Sequence, residues 1–425
     1  MQSLSVASHL VWLSAALGGV MGALFLAPAI HTQGPGVLWG YLAALLLFTQ
    51  PAYQAEEAAF RLAGRPWVVA AADGMRMRHM RPIWLWVTGA ALMLLLLLCS
   101  LMLAAAALSL STDTAAAMAA ADPTLGHMAL VLFLVWCLAS TPVPRLGLIQ
   151  LLGIALALWL GSILIIGLAT LALHPVPWLE QPLNIPAIFC GMQYGMLSSL
   201  LGLGIYYAIR VQPYLPWSDV TQSGWSWPWA LVIGQALWTL ALVGWTQHWW
   251  ETLNEQQGLS WLLHSWTHWA QGWSWLGIGT IALVLILGAR LLFLPWRQWL
   301  YHRFGGAAGW PLLGIAAVGF LFSLRLLLEH ALDYRGAAPW SMQLSAHLQN
   351  WAIPLLAVLM LSAMVRSLPP AALVWAQPGS WLLAGLRYLY WRYVLRSALL
   401  IWILIGSGWA QRMADFWQLS LFAKH

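Results

Sequence analysis

The chain has 425 residues, of which 62% are hydrophobic and only 7% are charged. Soluble globular proteins carry about 25% charged residues, so this composition excludes a soluble globular protein. It predicts an all-α polytopic membrane protein. The formal net charge of +6 calls for no nucleic-acid partner, because basic residues in the loops of a membrane protein serve to orient it in the lipid bilayer.

The first apolar segment, about residues 8–30, is long enough to cross a bilayer and contains Gly18, Gly19 and Gly22 around Met21. Glycine costs about 1 kcal/mol relative to alanine inside a helix, so three glycines this close favour a local break. Transporters place such broken helices at their binding sites, near the middle of the membrane. Close packing of two helices through small residues is the alternative interpretation.

Apolar segments of suitable length predict about 11 membrane-spanning helices. If alternate loops face the cytoplasm, most of the 18 lysine and arginine residues lie on the side that also holds the N-terminus. We therefore predict a multi-pass protein of the cell (inner) membrane with a cytoplasmic N-terminus. The predicted spans cover residues 8–30, 36–60, 83–110, 127–141, 147–172, 186–210, 229–249, 272–294, 311–330, 351–367 and 394–410.

The second span ends with two carboxylates, Glu56 and Glu57, where burial in hydrocarbon would be costly. Glu56 could accept hydrogen bonds from backbone N–H groups of an opened neighbouring helix and hold the break open. Alternatively, both carboxylates lie at the cytoplasmic interface, where Glu57 would pair with Arg61 at i,i+4.

The sixth span resembles the first in gathering small residues near its middle. These glycine and hydroxyl residues are Gly191, Gly195, Ser198, Ser199, Gly202 and Gly204. Breaks in the first and sixth helices are what two inverted five-helix repeats would produce. The pairing predicts one transmembrane domain over 1–425, with a first repeat at about 8–172, a second at about 186–367 and an extra helix at about 394–410.

These motifs resemble those of the neurotransmitter:sodium symporter family. The family's first two helices are similar to GGVMGALFLAP, the turn GPG and then the motif P-x4-E-x4-R. In this sequence that motif consists of Pro51, Glu56 and Arg61. The run from Gln193 to Gly204 is similar to its sixth helix, GLSWLLHSW to its fourth external loop, and YWRYV to the entry of its eleventh helix. The resemblance implies the leucine-transporter-type fold, with Glu56 bracing the two breaks. The implied substrate site comprises Gly18, Gly19, Met21, Gly22, Ser198, Ser199 and Gly202.

The sequence departs from that family at the sodium ligands. The family's first-helix asparagine falls near Ala23, its arginine gate at Leu26, and its eighth-helix Thr-Ser pair near Leu287-Gly288, while the third span contains no tyrosine. Sodium prefers about six oxygen ligands, as hard cations do, and too few side-chain oxygens remain. We therefore expect no cofactor, and Na+ only if backbone carbonyls supply the missing ligands.

Arg290 lies in the middle of the eighth span, about one turn from the position expected for a second sodium ion. An arginine facing lipid costs at least ~2.5 kcal/mol, so we expect this one to face the interior. There its guanidinium could substitute for the cation by bonding to carbonyls freed by the first-helix break. Snorkelling towards the interface and pairing with Glu329 are the alternatives.

The sequence contains no recognisable metal or catalytic motif. Its three cysteines, Cys99, Cys137 and Cys190, have no ligand-like spacing, and His264 and His268 lack a fixed third ligand. We predict that the chain is no enzyme but a secondary transporter for a small organic solute, such as an amino acid or amine. A non-transporting homologue, acting as a scaffold, a receptor or a subunit of a partner membrane protein, is the alternative.

Overall fold

The computed structural model shows an all-helical chain. It describes residues 26, 29–30, 33–55, 81–117, 124–140, 165, 168–169, 183–198, 227–247, 274–331, 354–355, 358–359, 361–362, 371 and 381–406. Among these residues, one helix of 24 residues, Gly305–Leu328, is long and apolar enough to cross a membrane by length and composition, and three shorter segments are comparably apolar.

Nine α-helices and three tighter or wider helical turns make up the described part of the chain. They are α1 (Gly36–Ala44) with a π-helical turn (Leu45–Thr49), α2 (Arg81–Ala117), α3 (Leu125–Ser140), α4 (Ile185–Ser198), α5 (Trp227–Gln247), α6 (Ser274–Phe304), a 3₁₀ turn (Gly305–Ala308), α7 (Gly309–Ala331), α8 (Trp381–Leu389), a π-helical turn (Tyr390–Leu395) and α9 (Arg396–Gly406).

Proline and glycine mark several of these helix ends. Pro186 stands in the first turn of α4, where a missing N–H breaks no intrahelical bond. Gly34 and Gly305 adopt φ angles of 85° and 55°, which glycine tolerates without strain. Gly34 forms the predicted GPG turn that leads into α1, and Gly305 ends α6.

The described helices pack in two groups. In the first, which we call the glycine-packed group, α1 lies along α4 and its π-helical turn contacts α4 and α5. In the second, the serine-bonded group, α2, α3, α6 and α7 pack against one another. The helix formed by α8 and α9 lies beside the first group, because the rings of Phe189 and Trp402 are 6.0 Å apart and Tyr390 bonds to Leu47.

A buried hydrogen-bond network holds the serine-bonded group together. Ser323 Oγ lies 2.9 Å from the Gly319 carbonyl oxygen and 3.0 Å from the Ser100 carbonyl oxygen, and it accepts a bond of 3.0 Å from Trp136 Nε1. Ser100 Oγ in turn lies 3.0 Å from the Gly319 carbonyl oxygen. The network links α2, α3 and α7, and the Trp136 ring reaches α6 by stacking edge-on against Phe293.

The last predicted span is longer than its hydropathy indicates. Helix is described from Trp381, upstream of residue 394, through the π-helical turn to Gly406. Arg387, Arg392 and Arg396 interrupt the apolar pattern there, although they do not interrupt the helix. The count of eleven spans and the two repeats extend over residues outside the described ranges and stay predictions.

Candidate functional site

The contact between α1 and α4 is built from small residues spaced four apart on both helices. An added Cβ at Gly40 would lie 1.9 Å from the Ile188 carbonyl oxygen, and one at Gly191 would lie 1.8 Å from the Val37 carbonyl oxygen. The two backbones therefore touch directly, as in small-xxx-small helix pairs of membrane proteins. The residues at this contact are Gly36, Gly40 and Ala44 on α1 and Ala187, Gly191 and Gly195 on α4.

This contact fixes the part of the sixth span that approaches the predicted break. A Cβ at Gly195 would lie 2.6 Å from the Ala44 Cβ and 3.0 Å from the Tyr41 carbonyl oxygen, so the close packing continues to the last turn of α4. The structure describes this helix as far as Ser198, and the predicted break lies beyond the described range. Gly191 and Gly195, grouped with the break in the sequence analysis, instead lie within an unbroken helix and serve packing.

A buried polar cluster connects α1 with α5. Tyr41 is fully buried, and its hydroxyl is 2.7 Å from Thr239 Oγ1 and accepts a bond of 3.4 Å from Gln235 Nε2. Gln235 and Thr239 are themselves 2% and 0% exposed. This cluster was not among the predicted sites. The spacing of Gln235 and Thr239 at i,i+4 within an apolar span could have indicated it.

The polar side of α1 continues beyond the cluster towards Glu56. Thr49 and Gln50 are buried, and Thr49 Oγ1 donates a bond of 3.5 Å to the Ala44 carbonyl oxygen. Within the part of the chain that the structure describes, Gln50 Nε2 has no hydrogen-bond partner. Buried polar side chains thus continue along the second span beyond the cluster, as far as Gln50.

Residues at the family's arginine-gate position and at its second sodium site are at least half-buried here. Leu26 is fully buried, Leu287 is half-buried and Gly288 is buried. Arg290 is half-buried on α6. It follows Ala289, whose carbonyl oxygen accepts a weak bond from Cys99 Sγ on α2 at 3.8 Å. Arg290 thus stands beside the contact of α6 with α2, and its role as a cation substitute stays a prediction.

Only two of the predicted functional residues lie within the described ranges: Ser198, at the end of α4, and Arg290, on α6. The others lie outside these ranges: Gly18, Gly19, Met21, Gly22, Glu56, Ser199 and Gly202. The grouping of these residues into one site therefore stays a prediction.

The described part of the chain consists of long apolar helices packed in two groups. No protein-family model and no curated protein matches the sequence. The chain is similar to the crystal structure of MhsT in complex with L-phenylalanine, with 15% identity, coverage of 93% of this chain and 98% of that chain, and a TM-score of 0.68. It is also similar to Mhp1, a nucleobase-cation-symport-1 family transporter in a closed conformation with bromovinylhydantoin bound, with 13% identity, coverage of 97% and 93%, and a TM-score of 0.55.

These similarities extend over nearly the whole chain. Because the identities are only 15% and 13%, the similarities show the fold alone. The leucine-transporter-type fold that the sequence motifs predict is thereby confirmed. The substrate, the ion sites and the mechanism do not follow from it, because one fold can host several functions.

Proposed function

We propose that this protein is a secondary active transporter that moves a small organic solute by alternating access, and not an enzyme. The observation that carries the proposal is the similarity of nearly the whole chain to MhsT and to the transporter Mhp1. The solute would bind between the predicted breaks of the first and sixth spans, beside the end of α4. The glycine-packed and serine-bonded groups would rock against each other around that site.

The proposed solute is a small organic molecule such as an amino acid or amine. Two observations on other proteins support this class: MhsT was solved with L-phenylalanine and Mhp1 with bromovinylhydantoin. The third span has no tyrosine, which in the symporter family holds the substrate carboxylate. A less polar or carboxylate-free solute would therefore suit this site better.

We further propose that Arg290 substitutes for a sodium ion. Leu287 and Gly288, at the positions of the family's Thr-Ser ligand pair, support this proposal because neither has a side-chain oxygen, and so does the half-buried position of Arg290. Arg290→Ala should lower the melting temperature of the protein in detergent by several degrees more than Arg325→Ala, because Arg325 is exposed. It should also make the melting temperature depend on sodium; an unchanged melting temperature would contradict the substitution.

Thermal unfolding of the purified protein with a panel of amino acids and amines, in sodium chloride and in choline chloride, tests the proposal. A ligand that binds only the folded state raises its stability, by roughly 2.7 kcal/mol at about 100 times its Kd. We expect one solute class to raise the melting temperature equally in both salts. A shift that requires sodium would instead show that the ion sites survive through backbone carbonyls.

A non-transporting homologue is the second candidate, and the apolar residues at the sodium-ligand positions favour it. A solute that raises the melting temperature but is not taken up by proteoliposomes would indicate a receptor. The absence of any shift across the panel would favour a scaffold or a subunit of a partner membrane protein. The proposed location in the inner membrane with a cytoplasmic N-terminus depends on the arginine distribution, and reporter fusions at the N-terminus test it.

A further inference from the structure

The helix formed by α8, the second π-helical turn and α9 combines positive charge with an exposed apolar surface. Residues 381–406 include three arginines, Arg387, Arg392 and Arg396, and no acidic residue. The surface around them is apolar, with exposed side chains at Leu382, Leu386, Leu389, Val394 and Leu400.

Two contacts fix the depth of these arginines in the helical bundle. The Phe189–Trp402 ring contact lies near the end of the bundle at which α1 and α4 begin, and the Tyr390 hydroxyl donates a bond of 2.8 Å to the Leu47 carbonyl oxygen further along. At about 1.5 Å per residue, Arg396 lies roughly 9 Å, Arg392 roughly 15 Å and Arg387 roughly 22 Å from the level of Trp402. A hydrocarbon core is about 30 Å thick, so a Trp402 at the level of its outer boundary would put these side chains at membrane depth.

The guanidinium groups retain hydrogen-bonding capacity. Arg392 is exposed, and its guanidinium lies 5.3 Å from the centre of the Tyr393 ring and donates one bond of 3.4 Å to the Tyr388 hydroxyl. A guanidinium has five N–H donors, so most of them remain for another acceptor. The buried Nε of Arg396 has no hydrogen-bond partner among the residues that the structure describes.

We propose that this surface binds the headgroup of an anionic phospholipid. An exposed arginine at membrane depth is costly without an acceptor, and helical side chains extend towards the start of their helix, here towards the Trp381 end. A phosphate accepts paired bonds from arginine, and a net negative headgroup complements a segment with three positive charges and no negative one. The acyl chains would lie along Leu386, Leu389 and Val394.

The orientation predicted from the arginine distribution agrees with this assignment. It places the Trp381 end of the helix on the cytoplasmic side, where anionic lipids attract basic residues close to the membrane. The inference goes beyond the proposed transport, because lipid binding at this surface needs neither a solute nor an ion.

Native mass spectrometry of the purified full-length protein with phosphatidylglycerol and phosphatidylcholine of identical acyl chains tests the proposal. We expect tighter binding of phosphatidylglycerol. One arginine near an anionic surface contributes a factor of about five in affinity, so Arg387→Gln combined with Arg392→Gln should weaken binding roughly 25-fold. The control is Arg325→Gln, which removes an exposed arginine from α7 and should leave the affinity unchanged.

Equal affinity for the two lipids in the unmodified protein would overturn the proposal, and that comparison does not require any variant to fold. Unchanged phosphatidylglycerol binding in the double variant would also overturn it. Arg392→Gln alone provides a milder variant, with an expected loss of about fivefold. Glycerophosphate, which has the anionic headgroup without acyl chains, should not displace the lipid; displacement at equal concentration would indicate a simple anion site instead.

Discussion

The two packing groups achieve close helix contact by different means. In the glycine-packed group, the absence of side chains at Gly40 and Gly191 lets the backbones of α1 and α4 touch. In the serine-bonded group, helices are joined by side-chain hydrogen bonds, with Ser323 bonding to Trp136 and to the Ser100 carbonyl oxygen. The first contact depends on shape alone and the second on satisfying buried polar atoms, so the two groups should respond differently to mutation.

The largest effect should come from filling the glycine contact. Gly40→Ala would place a Cβ 1.9 Å from the Ile188 carbonyl oxygen, which cannot be relieved by a side-chain rotation because the obstacle is backbone. We expect a loss of about 3 kcal/mol or more in the free energy of unfolding, measured by denaturant titration in mixed micelles.

Gly314→Ala is the matched control for this change. No atom lies within 4 Å of a Cβ added at Gly314, so this variant should be neutral or more stable by up to about 1 kcal/mol. Equal stability of the Gly40 and Gly314 variants would contradict the direct backbone contact between α1 and α4.

An intermediate effect should come from the serine network. Ser323→Ala removes the acceptor of the Trp136 indole N–H, and an unsatisfied buried donor costs about 1–3 kcal/mol. Ser140→Ala is the control, since Ser140 is exposed and bonds only within α3, and it should change stability by less than about 0.5 kcal/mol. The same unfolding assay measures both, and similar losses in the two variants would show that the network contributes nothing specific.

The smallest effect should come from the polar cluster between α1 and α5. Tyr41→Phe removes the hydroxyl that lies 2.7 Å from Thr239 Oγ1 while it preserves the ring, and a typical hydrogen bond contributes about 0.5–1.5 kcal/mol. Tyr393→Phe removes an exposed hydroxyl and should be nearly neutral. If Tyr41→Phe were as neutral as Tyr393→Phe, the cluster would not hold α5 to α1.

Sequence patterns predicted the fold well because apolar length and glycine spacing are local signals. The segments 83–110, 127–141 and 311–330 correspond closely to α2, α3 and α7. The serine network could not be predicted in the same way, because Ser100 and Ser323 are far apart in the sequence and meet only through tertiary packing.

The site shows where local signals become ambiguous. Glycines that permit a break and glycines that permit close packing look alike in a sequence, and Gly191 and Gly195 prove to be packing residues within α4. The helix that contains the start of the last predicted span extends further upstream than the hydropathy indicates, because its arginines lower the hydropathy without ending the helix. The break after Ser198 lies outside the described residues and stays a prediction.

The central claim is that the glycine-packed and serine-bonded groups move relative to each other as units. Distances between spin labels at exposed positions measure this relative motion. Labels at Leu46→Cys and Leu321→Cys give a distance between the two groups. Labels at Leu134→Cys and Leu321→Cys give a distance within the serine-bonded group. Both pairs require a background from which Cys99, Cys137 and Cys190 have been replaced.

Electron–electron double resonance gives the distance distribution of each pair of spin labels. The two distributions are compared for every solute of the panel, with and without sodium. Our account predicts a broad or two-peaked distance distribution between the groups that narrows with a bound solute, and a single narrow distribution within the serine-bonded group under every condition. Equally narrow and unchanging distributions for both pairs would contradict alternating access and indicate a static scaffold.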